Sequence, residues 1–96
     1  MRLSPQQIAT IKETVQAVAG PNARAIIFGS RLRDDAKGGD LDLLVEADQG
    51  IDLLQRARLK MALEAQLALP VDIITRQRGI STTPFQRIAL AKGIPL

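Results

Sequence analysis

Three aspartates and a glycine–serine pair are the residues of this 96-residue chain whose types and spacing could do chemistry. Asp40 and Asp42 stand two apart at the head of the run Asp-Leu-Asp-Leu-Leu-Val-Glu, and Asp72 interrupts a later apolar run, Val71-Asp72-Ile73-Ile74-Thr75. In an extended strand residues i and i+2 point to the same side. Both carboxylates therefore project from one face while Leu41, Leu43 and Val45 line the other. Carboxylates on a core strand are costly unless they are paired or hold a metal. Hard oxygen donors of this kind suit Mg²⁺ bound jointly with substrate phosphates. Neighbouring strands lie about 4.8 Å apart, so Asp72 could complete a set of three around one or two ions.

The glycine–serine pair follows Ala25-Ile26-Ile27-Phe28, an apolar run too short for a helix and suited to a buried strand. Gly29 lets the backbone turn tightly and approach a ligand. Ser30 is placed to cap a short helix over residues 31–35, whose free N–H groups would face an incoming phosphate, with Arg31 beside it to neutralise phosphate charge. The chain has no histidine and no cysteine, which excludes imidazole catalysis, thiol chemistry and zinc–thiolate sites. Carboxylates must carry the chemistry.

Taken together, Gly29-Ser30, Asp40-Leu41-Asp42 and Asp72 resemble the minimal nucleotidyltransferases of the DNA polymerase beta superfamily, and the likeness covers nearly the whole chain. The resemblance implies an α/β fold with a small mixed sheet and transfer of a nucleoside monophosphate, AMP from ATP, to a hydroxyl. It implies Asp40, Asp42 and Asp72 as the catalytic and Mg²⁺-binding set, and Gly29, Ser30 and Arg31 as nucleotide-binding residues. It also implies a HEPN-domain toxin as the partner that bears the hydroxyl, which would make this chain the antitoxin. A catalytically silent module that neutralises its partner by contact is the alternative.

The elements that must position these residues are legible in outline. Ser4, Pro5 and Gln7 form a capping box with proline at the first helical position, and Ile8, Ile11, Val15 and Val18 continue as one apolar stripe up to Gly20-Pro21. A second helix over residues 51–69 has two stripes. Leu54, Ala57, Met61, Ala65 and Ala68 form one, and Leu59, Leu63 and Leu67 lie almost opposite, flanked by Arg56 and Lys60. Only one can face a small sheet. The leucine ridge is expected to dock a partner or second copy of the chain, unless the terminal segment covers it. Thr83-Pro84-Phe85-Gln86 opens a last helix that ends at Lys92-Gly93, with Phe85 and Ile88 expected to bury. Helices on one side of the sheet and an open catalytic side complete the expected architecture.

Length and composition bound the rest. Ninety-six residues with 46% hydrophobic and 24% charged content make one globular domain spanning 1–96. No apolar run reaches the roughly 18 residues of a membrane span, and Ser-Pro-Gln-Gln after Arg2 is not a signal peptide, so a cytoplasmic protein is expected. The net charge of +3 is uneven, with seven basic and two acidic residues from Gln55 to Leu96. Two phenylalanines and no tryptophan or tyrosine argue against a base-stacking nucleic-acid binder.

Overall fold

The computed structural model describes residues 3–29 and 40–96. Its order is α1 (Pro5–Ala19), β1 (Arg24–Phe28), β2 (Leu41–Ala47), α2 (Leu53–Leu67), β3 (Val71–Gln77), α3 (Pro84–Lys92) and β4 (Ile94–Pro95). All three helices open with a reciprocal capping box: Ser4 with Gln7, Asp52 with Gln55, and Thr83 with Gln86. Each satisfies two backbone donors that a bare helix end would leave orphaned. The α2 helix ends before Pro70, on Ala68 in the left-handed region at φ 57°.

The four strands lie in the order β3-β2-β1-β4. The β1–β2 and β1–β4 pairs are antiparallel and the β2–β3 pair is parallel. Strand alternation divides the sheet into two faces. Ala25, Ile27, Leu41, Leu43, Val45, Val71 and Ile73 point to one face, where Ile11 and Val15 of α1 and Leu59 and Leu63 of α2 close the main core. Ile26 and Leu44 point to the other, together with partly buried Phe28 and Ile74, and are covered by Ala89 and Leu90 of α3.

Two expectations change here. The α3 helix lies on the carboxylate side of the sheet, so that side is partly walled rather than open. Its buried residue is Ala89, whereas Phe85 and Ile88 are each 57% exposed. The stripes of α2 are also exchanged. Leu59 and Leu63 are fully buried and Leu67 packs against the same core, while Leu54 is 60% and Met61 70% exposed. The leucine ridge is core, not a docking surface. The physical reason is volume: three leucines fill the gap between helix and sheet, and a stripe rich in alanine cannot.

Truncating Leu63 to Ala should cost about 2–5 kcal/mol, as cavities in packed cores do. Met61→Ala should stay within about 0.5 kcal/mol of wild type. Urea unfolding of both variants checks the assignment, and equal losses would refute it.

Candidate active site

The register of β2 against β3 brings the site together. Asp42 is paired in register with Asp72, so their side chains leave adjacent strands on the same face. Two residues further along both strands, Leu44 lies beside Ile74, and two further still Glu46 lies beside Arg76. The sheet thus pairs unlike charges at one end of this face and like charges at the other. Asp40 sits just before β2, exposed, beside a join made by the Leu41 N–H donating to the Pro70 carbonyl at 2.9 Å.

Burial is the main reason the Asp42 carboxyl titrates above its ordinary value of 3.8, with the Asp72 and Asp40 charges adding to it. Carboxylates gathered beside a partly buried Asp42 form a hard-donor set whose charge a divalent cation would offset. As they stand, no group of three acidic side chains among the described residues converges closely enough to enclose an ion.

Gly29 ends β1 at φ 80°, and a Cβ built on it would overlap Oδ2 of Asp42. Both facts call for glycine: the left-handed backbone and the carboxylate against its Cα. Gly29 and Asp42 are thus in direct contact, with Asp72 beside Asp42. The Ser30 and Arg31 expectations, and the short helix over 31–35, lie outside the described residues. Phe28 stands opposite Asp42 in register, and Phe85 packs edge-on against it with ring centroids 5.8 Å apart. This exposed aromatic next to the site was read from the sequence as core, because its position in α3 says nothing of which sheet face that helix covers.

The two arginines after Asp72 do not join the site. Arg76 pairs with half-buried Glu46, and Arg78 bonds Glu46 and Asp48, the latter at 2.9 Å, as well as the Asn22 carbonyl at 2.7 Å. The hydrogen bonds from Arg78 and Asn22 hold the Asp48 carboxyl below its usual range. Glu46 is the centre of this network. A cleft of about 540 Å³ lined by Gly20, Asn22, Asp48, Gly50 and Asp52 also lies at this far end and touches none of the three site aspartates.

Because Asp42's pKa is raised in the folded state, its ionised form opposes folding at neutral pH, and that penalty is relieved as pH falls through the raised value. Asp42→Asn should therefore melt above wild type at pH 7 in chelator, with the gain shrinking as the pH is lowered towards 3.8. An unchanged or lower melting temperature would contradict a carboxylate held ionised at a cost by burial and by its acidic neighbours. Gly29→Ala should lose about 1 kcal/mol or more to backbone strain alone and displace the Asp42 carboxylate. Thermal melting measures the first effect, and a crystal structure the second.

Comparison with known proteins agrees with this geometry. The family model for the nucleotidyltransferase domain matches residues 8–96. A solved structure described as a candidate minimal nucleotidyltransferase superimposes with a TM-score of 0.66 at 35% identity, covering 99% of this chain and 98% of that one. A Methanocaldococcus jannaschii protein described as a candidate protein adenylyltransferase is 47% identical over 53 residues, 54% of this chain and 57% of the relative, so the match spans little more than half of that protein. The chain belongs to the nucleotidyltransferase domain family, and the three helices and four-stranded mixed sheet of its described residues match the minimal nucleotidyltransferase fold.

Proposed function

We propose that this chain transfers an adenylyl group from ATP to a hydroxyl on a partner protein, with Mg²⁺ held by Asp42 and Asp72 and by Asp40 at the strand start. The observation that carries this reading is the in-register pair Asp42–Asp72, two carboxylates side by side where the same sheet elsewhere sets acid beside base. The donor set fits Mg²⁺ in type and charge, and a cation would favour the Asp42 carboxylate that burial first, and the Asp72 and Asp40 charges after it, make costly to ionise. When bound, the ion would neutralise charge developing on the transferring phosphoryl group.

The chain's own residues would then divide the work. Gly29, with no side chain and a left-handed backbone, lets the chain turn directly against the Asp42 carboxylate, and Ser30 and Arg31 would cradle the triphosphate beyond that turn. Asp72, exposed at the sheet edge, would accept the proton of the attacking hydroxyl. That oxygen bonds to the α-phosphorus, the bond to the β-phosphate oxygen breaks, and pyrophosphate leaves. The relative's description as a protein adenylyltransferase supports a protein acceptor. The resemblance at Gly29-Ser30, Asp40-Leu41-Asp42 and Asp72 supports a HEPN-domain toxin in that role, making this chain an antitoxin.

Incubating the chain with a co-purified partner, ATP and Mg²⁺ should add adenylyl groups to the partner, read by mass spectrometry. Asp42→Asn should lower transfer by orders of magnitude while partner binding persists. If the Asn variant protects cells as well as wild type does, the chain acts by contact and the catalytic reading fails.

A further inference from the structure

Part of the outer edge of β3 is held by hydrogen bonds, and Ile73, next to Asp72, is left with both its backbone groups open. Along a strand, the N–H and C=O of successive residues turn alternately to one neighbour and the other. The Pro70 carbonyl and the Arg78 N–H both bond β2, so Val71, Ile73, Thr75 and Gln77 turn their backbone groups to the outer edge. The Val71 N–H donates to Oε2 of Glu64 at 2.9 Å, and its carbonyl accepts from Nζ of Lys60. The Thr75 carbonyl accepts from Nε2 of Gln86 at 2.9 Å, and the Gln77 carbonyl from the Ile80 N–H at 3.3 Å. Among the described residues, no such partner meets the N–H and C=O of Ile73 or the N–H groups of Thr75 and Gln77, so Ile73 alone of the four has both groups open. A cleft of about 320 Å³ opens at this point, lined by Leu53, Arg56, Ala57, Lys60, Asp72 and Ile73.

We propose that the acceptor is an extended polypeptide segment that adds antiparallel to β3 through Ile73 and so sets a hydroxyl side chain beside Asp72. The proposal rests on the adenylyl-transfer reading above and names its acceptor. In an antiparallel hydrogen-bonded pair, two opposite residues exchange both N–H···O bonds, so one acceptor residue satisfies both free groups of Ile73. The side chain of that residue falls on the Ile73 face, in the cleft beside Leu53 and Ala57. Its two neighbours fall on the Asp72 face, about 4.8 Å from the aspartate's own strand. The segment recognised is thus a hydroxyl residue next to an apolar one, with acidic residues beyond to meet Arg56 and Lys60. A nucleic acid offers no amide pair to match Ile73. Sealing an edge against aggregation accounts for the clamps on Val71 and on the Thr75 carbonyl, but not for Ile73, the residue after Asp72, being left with both its backbone groups open. The acceptor O–H proton passes to Asp72, its oxygen bonds to the α-phosphorus of the nucleoside triphosphate, and pyrophosphate departs with the electron pair of the broken P–O bond.

The probe is a fluorescein-labelled peptide, Glu-Tyr-Leu-Tyr-Glu, with its leucine meant for Ile73 and a tyrosine on either side. Fluorescence anisotropy with the full chain, Mg²⁺ and a non-hydrolysable ATP analogue should show saturable binding. N-methylation of the leucine amide, which removes the donor to the Ile73 carbonyl, should weaken it about tenfold or more, the loss expected for a main-chain bond left unmade. Ala57→Phe, on the exposed face of α2, should fill the cleft and weaken binding similarly with an unchanged melting temperature. No binding by the parent peptide, or equal binding by the methylated one, overturns the docking. Mass spectrometry with ATP separates the two readings. Backbone-dependent binding without adenylylated tyrosine keeps the docking and removes the activity, and adenylylation indifferent to N-methylation does the reverse.

Discussion

The structure depends on one parallel register, the alignment of β2 with β3 that sets Asp42 beside Asp72. Like charges directly opposite on neighbouring strands oppose sheet formation, so the register must be held by something else. It is held from the opposite face. Leu41, Leu43, Val45, Val71 and Ile73 are all buried against α1 and α2, and a slip of one residue would turn every one of them outward. Glu46 beside Arg76 adds an ion pair to the same alignment at the far end. The aspartates are thus carried together by apolar packing that they do not share in, an arrangement typical of a site maintained for function at a cost in stability.

That division explains which parts of the molecule were legible in its sequence. Two helix starts were readable because a capping box is local: Ser4 and Thr83 each announce a boundary within four residues, whereas the second helix, expected from 51, begins at Leu53 behind the Asp52–Gln55 box. That Asp42 and Asp72 each point away from the apolar face of a strand was readable because period-two alternation needs only the strand itself, and the β2–β3 register sets the two side by side, with Asp40 just outside β2. The α2 stripes were misassigned because hydrophobic periodicity says a helix has two apolar faces and not which is inward. Leu59 and Leu63 win through side-chain volume, a property of the gap they fill and therefore of the tertiary structure. The Glu46–Arg76–Arg78 network was illegible for the same kind of reason. Its partners are some 30 residues apart in sequence, and only the β2–β3 register makes them neighbours.

The placement of α3 was the other feature beyond reach of local pattern. Nine residues are too few to hold a helix alone in water, where about 12–15 are needed even for strong helix formers. Contacts must hold it. The Gln86 side chain serves twice, capping the helix at Thr83 and donating to the Thr75 carbonyl of β3. At the other end Gly93 lies so close to Ile26, Ile27 and Ala89 that a Cβ would overlap all three. These two tethers fix the helix over the Leu44–Ile74 part of the carboxylate face, leaving Asp42 and Asp72 at its margin.

The two faces of the sheet therefore differ in strength, and the site lies on the weaker one. Among the described residues, the core against α1 and α2 contains thirteen buried side chains, and the one against α3 three. Opening α3 exposes little apolar area, so its local opening energy lies at the low end of the range the fold offers. The carboxylates themselves sit on strands fixed by the stronger core, and the aromatic pair Phe28–Phe85 links the rigid strand to the lightly held helix. A nucleotide entering beside Asp42 would meet a fixed charged floor and a wall that can adjust. Rigid support under the reacting groups with adjustable surroundings is the arrangement group transfer needs, since the phosphoryl centre must be positioned closely while substrate enters and pyrophosphate leaves.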